Sequence, residues 1–217
     1  MFTGIIEGSG SVQHLHRSGN SYKMSVVSDF DLNGSQIGDS IAVNGVCLTA
    51  VQISLRQFDV DIAPETVSKT VFQFIKPNEK VNLERALRLS DRIDGHLVSG
   101  HVDGLGTITN RQKRDNAIII EITTQAALCR YMIHKGSVAV DGISLTINHL
   151  DDNRFSLSVI PHTAKMSTIG LKSVGQQVNI ETDMIGKYVE RFIMNNEKNT
   201  SVASGINSDF LSRHGFI

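Results

Sequence analysis

The sequence contains little of what marks a disulfide-rich, metal-binding or nucleic-acid-binding protein. Among its 217 residues are no Trp, three Pro and two Cys, and the formal net charge is −1. The two cysteines, Cys47 and Cys129, lie in dissimilar contexts without CxxC spacing, which argues against a disulfide framework and a cysteine metal site. A net charge this close to zero gives no general attraction to nucleic acid or to an anionic membrane. We therefore expect a reduced, cytoplasmic protein with neither kind of partner.

Long apolar runs are also missing. The N-terminal stretch MFTGIIEGSG has no basic region followed by an apolar run, so a signal peptide is not expected. No stretch approaches the roughly 18 apolar residues that a membrane helix needs. Hydrophobic residues make up 40% and charged residues 20% of the chain, which is ordinary for a globular protein with a core. The length allows one large domain or two of about 100 residues.

What the sequence does contain is an internal repeat with an offset of 96 or 97 residues. The phrase IAVNGVCLT at residues 41–49 returns as VAVDGISLT at residues 138–146. Three further blocks match in the same order: residues 3–12 with 99–108, 58–66 with 155–163, and 81–84 with 178–181. Four matching blocks in one order indicate a duplicated domain rather than a solenoid, because the period is long and only two copies are present.

Each copy is predicted to be mostly β. In the first copy Phe58, Val60 and Ile62 alternate with aspartates, and the second copy repeats this period of two. Short strands between turn signals favour a small closed barrel, which has no open edge; a sandwich is the alternative. Brief helices are expected within residues 64–74 and 124–133. The first domain is predicted to span residues 1–96 and the second residues 97–193.

An amphipathic helix is predicted from about residue 186. Its apolar face comprises Ile185, Tyr188, Val189, Phe192 and Ile193. Such a helix after a completed barrel is expected to bury its apolar face against another surface. The pattern fits packing on its own chain as well as bundling with helices of other subunits. Residues 194–217 are expected to form a flexible tail.

The repeated phrases, together with HLVSGHVDG at residues 96–104 and the N-terminal MFTGI, resemble the riboflavin synthase family of the α-subunit type. The resemblance runs from residue 1 to about 193. It implies an all-β protein of two tandem six-stranded Greek-key barrels, each binding one 6,7-dimethyl-8-ribityllumazine, and a homotrimer held by the C-terminal helices. It also implies active sites between the first barrel of one subunit and the second barrel of its neighbour, and it suggests lumazine synthase as a further partner.

The reaction that the resemblance implies is a dismutation. One lumazine gives a four-carbon unit to a second, and the products are riboflavin and 5-amino-6-(D-ribitylamino)uracil, with no metal or other cofactor. A reaction between two molecules of one compound needs two sites of nearly the same shape, held so that the reactants meet. Because donor and acceptor do different work, the copies should differ at reactive positions: Cys47 against Ser144, Asn44 against Asp141, Ile5 against His101, and Glu65 against His162.

His101, Ser144 and Cys47 are the main candidates for catalysis. His101 replaces an apolar residue of the first copy, and a His near neutral pKa suits removal of a proton from the C7 methyl group of the lumazine. Ser144 and Cys47 would either add to the ring or position a water that does so, and positioning is favoured because the sequence reveals no base partner. Asp141 would orient Ser144, although a turn role explains it equally well. Phe2 is expected to cover the donor ring.

The resemblance assigns substrate contacts to six segments and to several polar side chains. A glycine lets a flat ring approach the backbone, although most glycines only mark turns. The segments are Gly4, Ile5 and Ile6; Cys47, Leu48 and Thr49; Asp61, Ile62, Ala63, Pro64, Glu65 and Thr66; Gly100, His101 and Val102; Ser144, Leu145 and Thr146; and Ser158, Val159, Ile160, Pro161, His162 and Thr163. The candidates for the ribityl hydroxyls are Ser40, Thr49, Thr146, Asp183 and Lys135, of which Lys135 would reach a ligand of the neighbouring subunit.

Two other functions fit parts of the sequence. A non-catalytic lumazine- or flavin-binding protein on the same double barrel would keep the sites without turnover. A flavin reductase on a related barrel would need a nicotinamide-binding unit, and no GxGxxG strand–helix segment is present. The retention of His101, Cys47 and Ser144 favours the enzyme.

Overall fold

The computed structural model describes residues 1–200 and 208–216, and its strands form two closed six-stranded barrels. The first barrel consists of β1 (Gly8–Ser18), β2 (Ser21–Ser28), β3 (Ser40–Val43), β4 (Val46–Ile53), β5 (Gln57–Ile62) and β6 (Lys80–Arg85). The second consists of β7 (Gly104–Arg114), β8 (Ala117–Thr123), β9 (Ser137–Val140), β10 (Ile143–Leu150), β11 (Arg154–Val159) and β12 (Gln177–Thr182).

Both barrels have the same Greek-key topology. The strand order is β1-β2-β5-β4-β3-β6 in the first barrel and β7-β8-β11-β10-β9-β12 in the second, with antiparallel pairing throughout. In each barrel three hairpin-linked strands lie beside an earlier strand, which is the Greek-key arrangement. The prediction of two tandem barrels is therefore confirmed, and the sandwich alternative is wrong because each sheet closes on itself.

Alternation along the strands produces a separate core inside each barrel. In β5 the side chains of Phe58, Val60 and Ile62 are each 1% exposed, as the period of two predicts. The corresponding residues of β11, Phe155 and Leu157, are fully buried in a second core cluster. Each copy of the repeat thus buries its own apolar residues.

Short helices connect the strands where the sequence contains Pro and turn residues. They are α1 (Pro64–Lys69), α2 (Ala126–Cys129) and α3 (Pro161–Met166), with 3-10 turns at Val71–Gln73 and Thr168–Gly170. Proline stands at the start of α1 and of α3, where its missing N–H costs no helical hydrogen bond. The helices predicted within residues 64–74 and 124–133 are confirmed.

The barrels meet at two hairpin turns that face each other. Asn44 and Gly45 connect β3 to β4 with φ angles of 47° and 77°, and Asp141 and Gly142 connect β9 to β10 with φ angles of 46° and 80°. Positive φ at both central residues is typical of the two-residue hairpin turn that follows the twist of its strands. A Cβ atom on Gly45 would lie 2.6 Å from the backbone nitrogen of Gly142. The two turns therefore touch backbone to backbone.

Replacement of Gly45 by Ala is expected to destabilise the protein by at least about 2 kcal/mol, because it adds overpacking to an unfavourable positive φ. Gly19→Ala is the matched control. Gly19 also has a positive φ, of 60°, but no atom lies within 4 Å of the place that a Cβ would occupy there. Urea unfolding of both variants separates the two costs, and equal losses would contradict the close approach of the turns.

The C-terminal helices form a unit of their own, which begins at Ile185. Helix α4 spans Met184–Thr200 and α5 spans Ser208–Arg213, so the tail predicted as flexible contains helical backbone. The reason is visible in the sequence, because no Pro or Gly follows Ile193 before Gly205. Residues 201–207 and 217 of the predicted tail lie outside the described residues. Within residues 1–200 and 208–216, none of the helices has the length and apolarity needed to cross a membrane.

Candidate functional site

The glycine segment before β1 reaches the second barrel as well as the first. The carbonyl oxygen of Gly4 accepts a hydrogen bond of 2.8 Å from the backbone nitrogen of Ser144. A Cβ on Gly4 would lie 2.7 Å from the Cβ of Ser144, so only glycine permits this approach. Ile6 packs against the core of the second barrel. Residues 4–6 and 144–146 together form what we call the Ser144 site.

The glycine segment before β7 makes the reciprocal contact with the first barrel. The carbonyl oxygen of Gly100 accepts a hydrogen bond of 2.8 Å from the backbone nitrogen of Cys47. Val102 packs against the core of the first barrel. Residues 100–102 and 47–49 form the Cys47 site. Each site is therefore composed of residues from both copies of the repeat. Alignment of the two copies by sequence does not reveal this exchange of glycine segments.

Two buried glutamates hold the glycine segments in place. Glu84, in β6, accepts hydrogen bonds from the backbone nitrogens of Thr3 at 2.6 Å and Gly4 at 3.0 Å. Glu181, in β12, accepts from the nitrogens of Ser99 at 2.6 Å and Gly100 at 2.9 Å. Burial raises the pKa of Glu84, and the hydrogen bonds from Thr3 and Gly4 oppose that rise. Neither glutamate was among the residues predicted from the sequence, although both end the matched blocks VNLE and VNIE.

His96 supplies the base partner that the sequence did not reveal for Ser144. Its Nδ1 lies 2.7 Å from the Ser144 hydroxyl oxygen. Burial lowers the pKa of His96, and the nearby carboxylate of Asp183 opposes that shift. In the neutral form with its proton on Nε2, the imidazole accepts the Ser144 hydroxyl proton in a hydrogen bond. Nε2 itself is buried, and none of the residues that the structure describes bonds to it.

His96 lies in the connection between the two copies, before the first matched block of the second copy, 99–108. Comparing the matched blocks therefore does not single it out, and its sequence signal is its place in the block HLVSGHVDG. The two sites consequently differ in more than the exchange of Cys47 for Ser144.

Phe2 supports the Cys47 site from within the protein. Its side chain is fully buried in a cluster with Val98, and Cys47 packs against that cluster. Backbone bonds between Phe2 and Val98, of 2.7 and 3.0 Å, hold the N-terminal segment against the connection between the barrels. Because the Phe2 side chain is fully buried in the single chain, the expectation that it covers a ligand ring stays a prediction.

Asp141 is also placed away from the chemistry predicted for it. Its side chain is fully buried, and its Oδ1 accepts a hydrogen bond of 2.8 Å from the backbone nitrogen of Asn179. Its Oδ2 lies 3.2 Å from Nζ of Lys172. The Asp141 carboxylate therefore contacts Asn179 and Lys172 and not the Ser144 hydroxyl, and its φ of 46° agrees with the alternative turn role.

The other predicted contact residues fall into three groups according to the solvent exposure of their side chains. The side chains of Leu48, Leu145, Ile62 and Val159 belong to the barrel cores, so they leave only backbone atoms for a ligand. Ile6, Ser40, Thr66, Val102, Thr163 and Asp183 are half-buried. The exposed members are Ile5, Thr49, Asp61, Ala63, Pro64, Glu65, His101, Lys135, Thr146, Ser158, Ile160, Pro161 and His162.

Three of the exposed charged candidates make surface contacts of their own. Glu65 pairs with Lys69 at 2.7 Å, and this partner lowers the pKa of the Glu65 carboxyl. Asp61 lies 3.9 Å from Lys23, and Lys135 donates to the side chain of Asn148 at 3.1 Å. Exposed pairs of this kind contribute little to stability, so a ligand can displace them at small cost.

A cavity of about 620 Å³ adjoins the Ser144 site. Ile5 and Ser40, two of the predicted contact residues, both line it. Its wall carries side chains of both charge signs, among them Glu7, Arg85 and Asp91. The size suits a small ligand, and the mixed donors and acceptors suit a polyol such as a ribityl chain.

Comparisons with known proteins agree with this geometry. The model of the lumazine binding domain matches the chain twice, over residues 3–86 and 99–183. Riboflavin synthases of Actinobacillus pleuropneumoniae and Bacillus subtilis (strain 168) are 42% and 41% identical to it over 216 residues, and each match covers 100% of both sequences. The crystal structure of LumP complexed with riboflavin superposes with a TM-score of 0.77 at 23% identity, covering 84% of this chain and 99% of that one, which shows a shared fold. The chain therefore belongs to the riboflavin synthase family and carries two lumazine-binding domains.

Proposed function

We propose that the Ser144 site and the Cys47 site each bind one molecule of 6,7-dimethyl-8-ribityllumazine, and that the enzyme converts two such molecules into riboflavin and 5-amino-6-(D-ribitylamino)uracil. The observation that carries this proposal is the pair of composite sites, alike in backbone and different in their reactive side chains. Membership in the riboflavin synthase family makes the chain an enzyme of this reaction.

The reaction balances without any other reactant. One lumazine loses four carbon atoms and becomes the diaminouracil, and the other gains them and becomes riboflavin. Two bonds between the four-carbon unit and the rest of the donor break, and two bonds between that unit and the acceptor form. The reaction therefore consumes no external oxidant or reductant. The protein must therefore bind two equal molecules in unequal environments. The hydrogen-bonded Ser144–His96 pair provides one environment, and Cys47 beside the apolar Phe2 cluster provides the other.

The Ser144–His96 pair suits proton transfer. A serine hydroxyl bonded to a neutral imidazole can accept or pass on a proton, or hold a water that adds to the ring. His101 lies exposed beside the Cys47 site, with its backbone nitrogen bonded to the Ser99 hydroxyl at 3.1 Å. From there its ring would reach the C7 methyl group of a lumazine bound outside the barrel.

Several features support active sites completed by a second subunit. His101 and Lys135, together with Thr49 and Thr146, are exposed in the single chain, and a covering subunit would place them in a less polar environment, where electrostatic interactions are stronger. On α4, Tyr188 and Phe192 are 59% and 67% exposed, and the other three residues of the apolar face are exposed as well. A helix with such a face is suited to bundling with its copies in a homotrimer.

The direct test is incubation of the purified protein with the lumazine, without added metal or cofactor. Riboflavin fluorescence should appear, and quantitative chromatography should find one riboflavin and one diaminouracil for every two lumazines consumed. A chelator added to a parallel sample should leave the rate unchanged. A stable complex without products would instead identify a non-catalytic binding protein, the class of function for which the structural likeness to LumP is the supporting observation.

A further inference from the structure

Four buried polar residues join the two barrels in a symmetrical network. Asn82 donates from its side-chain amide to the carbonyl oxygen of Asp141 at 2.9 Å, and Asn179 donates to that of Asn44 at 2.8 Å. None of the four residues is more than 2% exposed. Hydrogen bonds made across the contact between the facing turns therefore fix the docking of one barrel on the other.

The two halves of the network differ in charge. In the first barrel the side-chain oxygen of Asn44 accepts from the backbone nitrogen of Asn82 at 2.8 Å. In the second barrel a carboxylate oxygen of Asp141 accepts from the backbone nitrogen of Asn179 at the same distance. An amide and an acid thus do the same structural work, but only the acid places a charge in the interior.

Lys172 offsets that charge. Its Nζ lies 3.2 Å from Oδ2 of Asp141 and donates to the carbonyl oxygen of Gln177 at 2.6 Å. The counterpart of Lys172 in the first copy, 97 residues earlier, is Ile75, which is 6% exposed in the first core. The copies therefore contain matched pairs: a neutral amide with an apolar residue in the first, and an acid with a lysine in the second.

The Asp141–Lys172 pair is linked to two segments that carry predicted contact residues, β10 and α3. Asp141 begins the turn that leads into β10, and Ser144 follows three residues later. Asn82, which bonds the carbonyl oxygen of Asp141, also accepts from the backbone nitrogen of Thr168 at 2.7 Å. Thr168 lies just after α3, the helix that begins at the predicted contact residue Pro161. A shift of Asp141 would therefore displace the start of β10 and, through Asn82, the segment that follows α3.

We propose that Lys172 is a positioning residue for the Ser144 site: by neutralising the buried Asp141 carboxylate it holds the turn before Ser144, and the pair replaces as a unit the Asn44 and Ile75 of the first barrel. A fully buried carboxylate without its cation keeps its desolvation cost and loses the attraction that offsets it. Asp141 is thereby assigned to the architecture of the site and not to the chemistry.

The test replaces Asp141 and Lys172 by the residues that the first barrel has at the equivalent positions. In the full-length protein, Lys172→Ile should lower the thermal midpoint by roughly 10 °C, because it leaves the acid unpaired. Asp141→Asn should lower it less, since Lys172 is 13% exposed and can turn toward solvent. The double variant recreates the pair of the first barrel, and its midpoint should lie closer to that of the wild type than that of Lys172→Ile. Losses that simply add would overturn the proposal.

The pH dependence of the Lys172→Ile midpoint gives a second readout. Burial raises the pKa of Asp141, the charge of Lys172 lowers it, and the charge of Glu79 raises it. Without Lys172 the folded-state pKa of Asp141 rises further above its unfolded value. The resulting stabilisation is complete below the unfolded pKa of about 3.9 and is lost as the pH rises through the folded pKa. Acidification should therefore restore part of the lost midpoint in this variant but not in the double variant, and equal pH profiles would contradict the pairing.

Kinetic measurements then separate a positioning role from a catalytic one. This part of the test rests on the proposed function. Lys172→Ile should reduce kcat about tenfold at neutral pH, because small displacements of reacting groups are costly. The double variant should recover kcat to within about threefold of the wild type. A double variant with a wild-type midpoint and no activity would make Asp141 catalytic and overturn the proposal. The unfolding measurements do not depend on turnover, so failure of the proposed reaction would be recognised separately.

Discussion

Replacement of Ser144 by Ala is expected to lower kcat by about 100-fold while the affinity for lumazine changes less than about threefold. The physical reason is that the hydroxyl, 2.7 Å from Nδ1 of His96, offers a proton path but little contact area. Steady-state kinetics give kcat, and fluorescence titration of the bound lumazine gives the affinity. A variant that loses only affinity would contradict the assigned role.

Two further variants make this test specific. His96→Gln retains a polar side chain but cannot titrate, and the double variant should be hardly slower than either single one, because the two groups act as a unit. Cys47→Ser is the matched control at the equivalent position of the other site. Within the described residues the Cys47 side chain has no hydrogen-bonded base, so its replacement should change kcat by less than about tenfold. A larger loss in Cys47→Ser than in Ser144→Ala would reverse the assignment of the two sites.

Removal of residues 186–217 is expected to dissociate the proposed homotrimer and to abolish detectable turnover. The barrels form a compact unit that ends at Met184, so they should stay folded, whereas the apolar face of α4 would be lost. Sedimentation velocity gives the mass of the assembly, and the fluorescence assay gives the rate. A monomer of full activity would refute sites shared between subunits.

Two smaller changes serve as controls for misfolding of the truncated chain. Phe192→Asp places a charge on the apolar face of α4, where the wild-type side chain is 67% exposed, and should dissociate the assembly. Deletion of residues 208–217 removes α5 and leaves α4, and should preserve both mass and activity. Dissociation by the second change alone would assign the interface to α5.

The sequence predicted the barrels and the duplication because both depend on local patterns. The alternation in β5 and β11 and the doubled turns Asn44–Gly45 and Asp141–Gly142 are properties of short segments. The glycine segments were candidates from the sequence, but their exchange between barrels depends on long-range packing that no local pattern records. Asp141 shows the same limit, since its partner Lys172 becomes visible only when the copies are aligned and the burial is known.

His96 illustrates a different reason for a missed residue. A repeat directs attention to positions that occur twice, and His96 occurs only in the connection between the barrels. Its neighbours His101 and Gly100 were selected because each has a partner in the first copy. The asymmetry between the two sites thus comes partly from a segment that lies outside the matched blocks.

The reciprocal placement of the glycine segments has a consequence for each domain taken alone. A single barrel lacks the glycine segment that the other copy supplies, so neither site would be complete in it. Two copies of one domain could complete both sites by exchanging their leading segments. An excised half is therefore expected to associate with a second copy of itself.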